Sequence, residues 1–194
     1  MLRRAIVPLA LFLPLPVSAT MMVAMSLHQL AGRADRIFVG RVLKAESHWS
    51  EDGRHIVTDT TFEVQQGVHG AKDGERVVVR RLGGSVNGIG MRVAGSPTFR
   101  PGETTLLFTE VRAGHRYVVG MMQGVFPVQR TEDGRITVAR TLGGLSLVKR
   151  TDDGLRAAEQ PKDLAARQPL DLFVQHIRRA LADCATDARL CRSR

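Results

Sequence analysis

The chain has 194 residues, with 28 Lys or Arg against 19 Asp or Glu and a formal charge of +9 with histidine neutral. That length supports one domain with a real core, and a 43% hydrophobic content places it among folded chains. Two cysteines and the absence of any block of five like charges exclude a disulfide-built scaffold, a cysteine-rich metal module and a basic nucleic-acid tail.

Arg3 and Arg4, an apolar run over residues 5–17 and the small-residue site Val17-Ser18-Ala19 read as a signal peptide over residues 1–19. The run is short and interrupted by Pro8, Pro14 and Pro16, which suits a cleaved leader better than a straight membrane span. No transmembrane anchor is therefore expected after cleavage, and loss of Arg3 and Arg4 lowers the charge from +9 to +7. The compartment implied is periplasmic or extracellular, in a bacterium.

Ser26 and Gln29 form a capping box ahead of Leu27, Leu30, Ala31 and Ala34, predicting a short helix that Gly32 weakens. Residues 36–45 read as a strand, with Ile37, Val39 and Leu43 on one face and Phe38 and Val42 on the other. A turn at Ser50-Glu51-Asp52-Gly53 leads into the alternating run 56–64, so the two make a hairpin. Val77, Val78 and Val79 centre a third strand over 76–82.

Residues 83–108 read as a long exposed loop, because Gly83, Gly84, Gly88, Gly90 and Gly95 break regular structure before Pro101-Gly102 turns the chain into a strand at 104–109. Residues 117–122 give a fifth strand, with 124–129 its continuation past Gly124, and Asp133-Gly134 joins it to 135–138. Residues 143–168 carry no consistent face and read as a connector. A helix over 169–183 follows, its stripe made by Leu170, Phe173, Val174, Ile177 and Leu181. Cys184 and Cys191 close a local disulfide in the tail 184–194. The pattern predicts a mainly β domain over 20–142, a small OB-like Greek-key barrel with a short N-terminal helix and a C-terminal helix, with a β-sandwich as the alternative.

The candidate ligand-binding residues are His48, Trp49, His55, Gly88, Gly90 and Arg92. If the turn is the four residues 50–53, His48 faces His55 across the hairpin, but no third ligand is placed and no metal is assigned. Trp49 is the sole tryptophan and either caps the barrel end or offers a contact surface. The glycine stretch lacks the Gly-Lys-Ser/Thr ending of a phosphate loop, and no Gly-x-Ser-x-Gly or His-Glu-x-x-His is present. No catalytic residue and no cofactor is assigned.

The segments ADRIFVGRVLKAESHW, IVTDTTFEV, VVVRRLGGSVNGIGMRVAGSPTFRPGETTLLF and YVVGMMQGVFPV, closed by PLDLFVQHIRRAL, resemble secreted bacterial proteins of unassigned function. The Ala-Asp before the first strand and the Phe-x-x-Gly-Glu before an apolar strand are also similar in outline to netrin-like and metalloproteinase-inhibitor-type OB-folds. That inhibitory chemistry needs a cysteine at the mature N-terminus, and none precedes Cys184. The expectation is an exported, non-catalytic binding module that contacts an envelope or secreted protein or an anionic polymer, and not nucleic acid. A small secreted hydrolase is the alternative.

Overall fold

The computed structural model describes residues 20–142 and 145–191, so the expected signal peptide lies outside the described residues. In chain order these residues form β1 (Met21–Val23), α1 (Leu27–Arg33), β2 (Arg36–Trp49), β3 (Ile56–His69), β4 (Arg76–Leu82), β5 (Gly84–Val86) and β6 (Ile89–Met91). There follow β7 (Thr104–Arg112), β8 (His115–Val118), β9 (Val125–Arg130), β10 (Ile136–Val138), β11 (Ser146–Thr151), β12 (Gly154–Ala157), α2 (Lys162–Ala165), β13 (Gln168–Pro169) and α3 (Leu170–Thr186). The protein is mainly β, as its sequence predicts.

The main sheet runs β13-β10-β9-β7-β2-β3-β4, with β8 on the same side of β7 as β9. Val118 faces Thr109 and Val125 faces Leu107, so β8 and β9 are one strand interrupted over residues 119–124. The expected closed barrel is not formed, because the sheet is open and no ladder joins β4 to β8 among the described residues. β8 pairs along its four residues with β7, and its other edge makes no ladder with the seven residues of β4. Side chains bridge the seam instead, with Arg80 Nη1 2.8 Å from His115 Nε2.

The central strands are buried on both faces. Ile37, Val39, Leu106 and Phe108 enter the larger core with Leu30, Ala31, Phe126, Phe173, Val174 and Ile177. Phe38, Val42 and Leu107 enter a smaller one with Phe62, Val64, Val77, Val79 and Phe99. Double burial explains why β2 and β7 read as continuous apolar runs and not as strict alternation. Leu43 departs from expectation: a register shift between Val42 and Lys44 takes it out of alternation, and it is exposed.

The Ser26–Gln29 capping box forms as predicted. The C-terminal helix does too, running to Thr186, and it buries Phe173, Val174, Ile177 and Ala180. Gly32, a poor residue for helix propensity, is needed for packing: a Cβ there would lie 2.3 Å from Cys191 Cβ. Cys184 and Cys191 lie at disulfide distance, with Cα atoms 5.8 Å apart, and His28 Nε2 meets Asp183 Oδ2 at 3.0 Å. The cysteine loop therefore packs against α1 as well as closing the tail.

Two stretches hold more structure than their composition suggests. Within the glycine-rich segment, β5 and β6 pair as a hairpin whose turn is Asn87-Gly88, both at positive φ of 50° and 81°. Asn-Gly supplies the two left-handed positions that a type I′ turn demands. The remainder of the segment is pinned by Phe99, buried 5.1 Å from the Phe62 ring in an edge-on contact. In the expected connector, β11 and β12 form a hairpin, and β11 pairs in parallel with β1 in a separate sheet.

Candidate functional site

The β2–β3 hairpin closes one residue pair beyond the expected turn. Ser50 N–H donates to His55 O at 2.7 Å, leaving residues 51–54 as the turn, and Asp52 Oδ1 accepts from Ser50 Oγ at 2.6 Å and Arg54 N–H at 3.1 Å. Consequently His48 faces Val57, and the expected pairing of His48 with His55 is not made. Asp52 fixes the turn, and its carboxyl sits below the usual range because those donors, Ser50 first, stabilise its charge.

His48 bonds elsewhere. Its Nε2 donates to Asp59 Oδ2 at 3.0 Å and its Nδ1 to Trp49 O at 2.9 Å, an arrangement that uses both ring protons. These two acceptors, Asp59 first, raise its pKa above the ordinary 6.5. Trp49 is 42% exposed and belongs to neither core, so of the two roles open to it the cap is not made.

The glycine-rich segment does reach this end of the sheet. Thr58 Oγ1 donates to Gly83 O at 2.6 Å and lies 2.9 Å from Ser47 Oγ. Gly84 rests on the same pair so closely that a Cβ would fall 2.3 Å from Ser47 Oγ. The base of the β5–β6 hairpin is thereby seated two residues from Trp49. Gly88 and Gly90 are exposed with no neighbour within 4 Å of a Cβ, and Arg92 is exposed beyond them.

Beside this end lies a charged cluster that the sequence reading missed. Asp59 on β3 faces Arg80 on β4 in register, and the guanidinium grips the carboxylate as a fork, Nε to Oδ1 at 2.8 Å and Nη2 to Oδ2 at 2.7 Å. Arg80, then His48, holds the Asp59 carboxyl below its usual range even though partial burial opposes this. Arg80 Nη1 lies 2.8 Å from His115 Nε2, and Glu51 Oε1 lies 3.7 Å from the same nitrogen. Asp59 thus accepts three hydrogen bonds and carries charge that is already matched. Such a carboxylate is a clamp on β2, β3, β4 and β8 and a poor general base. Among the described residues no serine hydroxyl hydrogen-bonds a histidine ring, and Ser96 Oγ instead donates to Leu82 O at 2.7 Å.

Two hollows flank the seam between β4 and β8. One, of about 370 Å³, is polar and is lined by Asp59, Arg76, Arg80, His115 and Arg116. The other, of about 310 Å³, is lined by Arg81, Leu82, Pro97, Tyr117, Val118 and Met121. Arg81 shares the inward face of β4 with buried Val77 and Val79. The period-two pattern of the Val-Val-Val-Arg-Arg run places a cation on the core face, and that was the available signal for this residue.

Compared with protein-family models, curated proteins and solved structures, the chain matches none. No group of three or more His, Cys, Asp or Glu able to hold a metal occurs among the described residues, and no helix among them is long and apolar enough to cross a membrane.

Proposed function

We propose that this chain is an exported, non-catalytic binding module that contacts another protein through the end of the sheet where Trp49 and the β5–β6 hairpin lie. The observation that carries this reading is a set of large apolar side chains left in solvent there: Trp49 at 42%, Leu82 at 42% and Ile89 at 56% exposure. An exposed tryptophan flanked by apolar neighbours is the usual anchor of a protein interface. In this reading His48 next to Trp49, His55 at the turn and the exposed Gly88, Gly90 and Arg92 of the hairpin segment supply the polar and permissive rim.

Export to a bacterial periplasm or to the exterior belongs to the same reading. It is supported by the leader-like residues 1–19 and by a cysteine pair at bonding distance, which suits an oxidising compartment. So does an OB-like relation, supported by the smaller core enclosed by β2, β3, β4, β7 and β8, with a hairpin where an OB-fold carries its helix between the third and fourth strands.

The test is capture of envelope and secreted proteins on the purified chain, with washes at rising salt. A stoichiometric protein that survives high salt, and whose retention falls about tenfold or more with Trp49→Ala, is the expected result. Capture that vanishes with salt would replace this reading with attachment to an anionic polymer through arginines.

A further inference from the structure

The 310 Å³ hollow at the end of β4 combines features that the exposed Trp49 surface lacks. Leu82, Pro97, Tyr117, Val118 and Met121 give it an apolar wall, and three arginines reach it. Two of these are already matched, Arg80 by the fork with Asp59 and Arg112 by Glu110. Arg81 is not. It makes no ion pair among the described residues, its Nη1 reaches only the Leu82 carbonyl at 3.3 Å, and its Nε is buried without a partner. Partial burial lowers its pKa, with no opposing charge to offset the shift. A buried N–H without an acceptor is costly to the fold, while the rest of this guanidinium stays open to a ligand.

The opposite wall is held in an uncommon conformation. Met121 adopts φ +56° directly after Gly120 at +61°, where the chain leaves β8, and the Met122 N–H is tied to Gly95 O at 3.1 Å. A non-glycine residue in the left-handed region persists only where its surroundings enforce it, and such positions concentrate at ligand sites.

We propose that this hollow binds a small apolar carboxylate, whose oxygens take up the free donors of Arg81 while its hydrocarbon part packs against Leu82, Pro97, Tyr117, Val118 and Met121. The head group is a planar two-oxygen anion, which one guanidinium fork can meet with two parallel hydrogen bonds and which suits a hollow whose other walls are mostly apolar. Volume fixes the body: at about 310 Å³ the hollow is near the lower end of ligand pockets and takes one apolar residue or a short acyl chain, not a polymer. The same chemistry is presented by a polypeptide C-terminus ending in an apolar residue and by a free short-chain fatty acid. Leu82 borders both surfaces, but neither acid requires a partner at Trp49, so this site is tested apart from the function proposed above.

Titration calorimetry on the purified chain tests it, with N-acetyl-leucine and hexanoate as the two acids and N-acetyl-leucinamide and hexanamide as their uncharged counterparts. At least one acid should bind, its amide should bind about tenfold more weakly or worse, and the tighter acid identifies the source. Arg81→Gln should erase the difference between acid and amide, Arg81→Lys should keep part of it, and Met121→Trp should fill the hollow and abolish binding. Failure of both acids to bind the unmodified chain, equal binding of acid and amide, or discrimination that survives Arg81→Gln would overturn the assignment.

Discussion

On the helix-covered side of the sheet, Phe108, Phe126 and Phe173 form a chain with ring centres 5.7 and 4.7 Å apart, enclosed by α1 and α3. On the other side, Phe38, Phe62 and Phe99 make a second aromatic chain at 6.1 and 5.1 Å, but the strands around it stop short of joining. Where ladder and helices are complete, side chains bury fully and polar groups are few. Where the ladder stops between β4 and β8, the edge is closed by Asp59, Arg80, His115 and Arg81, and two hollows remain. The contrast separates what holds the molecule together from what it can offer to another molecule.

Truncation should register that separation most strongly. Phe126 is 1% exposed and touches both other rings of its chain, so Phe126→Ala should cost about 3–5 kcal/mol in urea unfolding. Tyr117, half-buried at the rim of the smaller hollow, has far less to lose on conversion to alanine. Equal losses at the two positions would break the comparison.

A poorly matched buried charge on the helix side gives the next prediction. Arg140 is only 5% exposed, lies 6.0 Å over the Phe126 ring, and has Nε and Nη2 buried without partners among the described residues. Its one hydrogen bond, Nη1 to Gln123 O, is long at 3.5 Å, and burial pushes its pKa down to about 10. A buried charge that is so poorly matched detracts from stability. Arg140→Met should therefore be neutral to stabilising, by up to about 4 kcal/mol in the same unfolding measurement. A clear loss of stability would mean that the guanidinium serves the helix side in a way that the comparison misses.

Much of the helix side was legible because its signals are local. The capping box at Ser26 and Gln29 and the stripe from Leu170 to Leu181 each occur in one stretch of chain with the expected period, as do the valines of β4 on the opposite side. The signal for the hairpin over 84–91 is equally local, but Asn87-Gly88 sits among glycines that read together as breakers, although one of them completes a turn. What could not be read was anything set by register across the sheet. A one-pair difference in where the β2–β3 turn closes moved His48 from His55 to Asp59, and Asp59, Arg80 and His115 meet only because three connections bring them together. Nothing in their spacing announces that cluster. Similarly, Gly32 looked like a weak point until Cys191, at the far end of the chain, was found against it.

The smallest expected effect is also the most specific to the seam. His48 donates to Asp59 and to the Trp49 carbonyl, so the folded state favours its protonated form and its pKa lies above 6.5. The stabilisation this gives is present in full below 6.5, the ordinary value that the unfolded chain also has, and is lost as pH rises through the raised folded value. Exposure of the ring keeps the contribution small. An NMR titration of the histidine ring protons should place the His48 midpoint above 6.5, and Asp59→Asn should bring it down, since Asp59 is the larger of its two causes. A His48 midpoint that ignored Asp59→Asn would show that the carboxylate is spent entirely on Arg80. The seam would then be a fixed clamp like the helix side, with no proton-sensitive link from its charged cluster to the Trp49 surface.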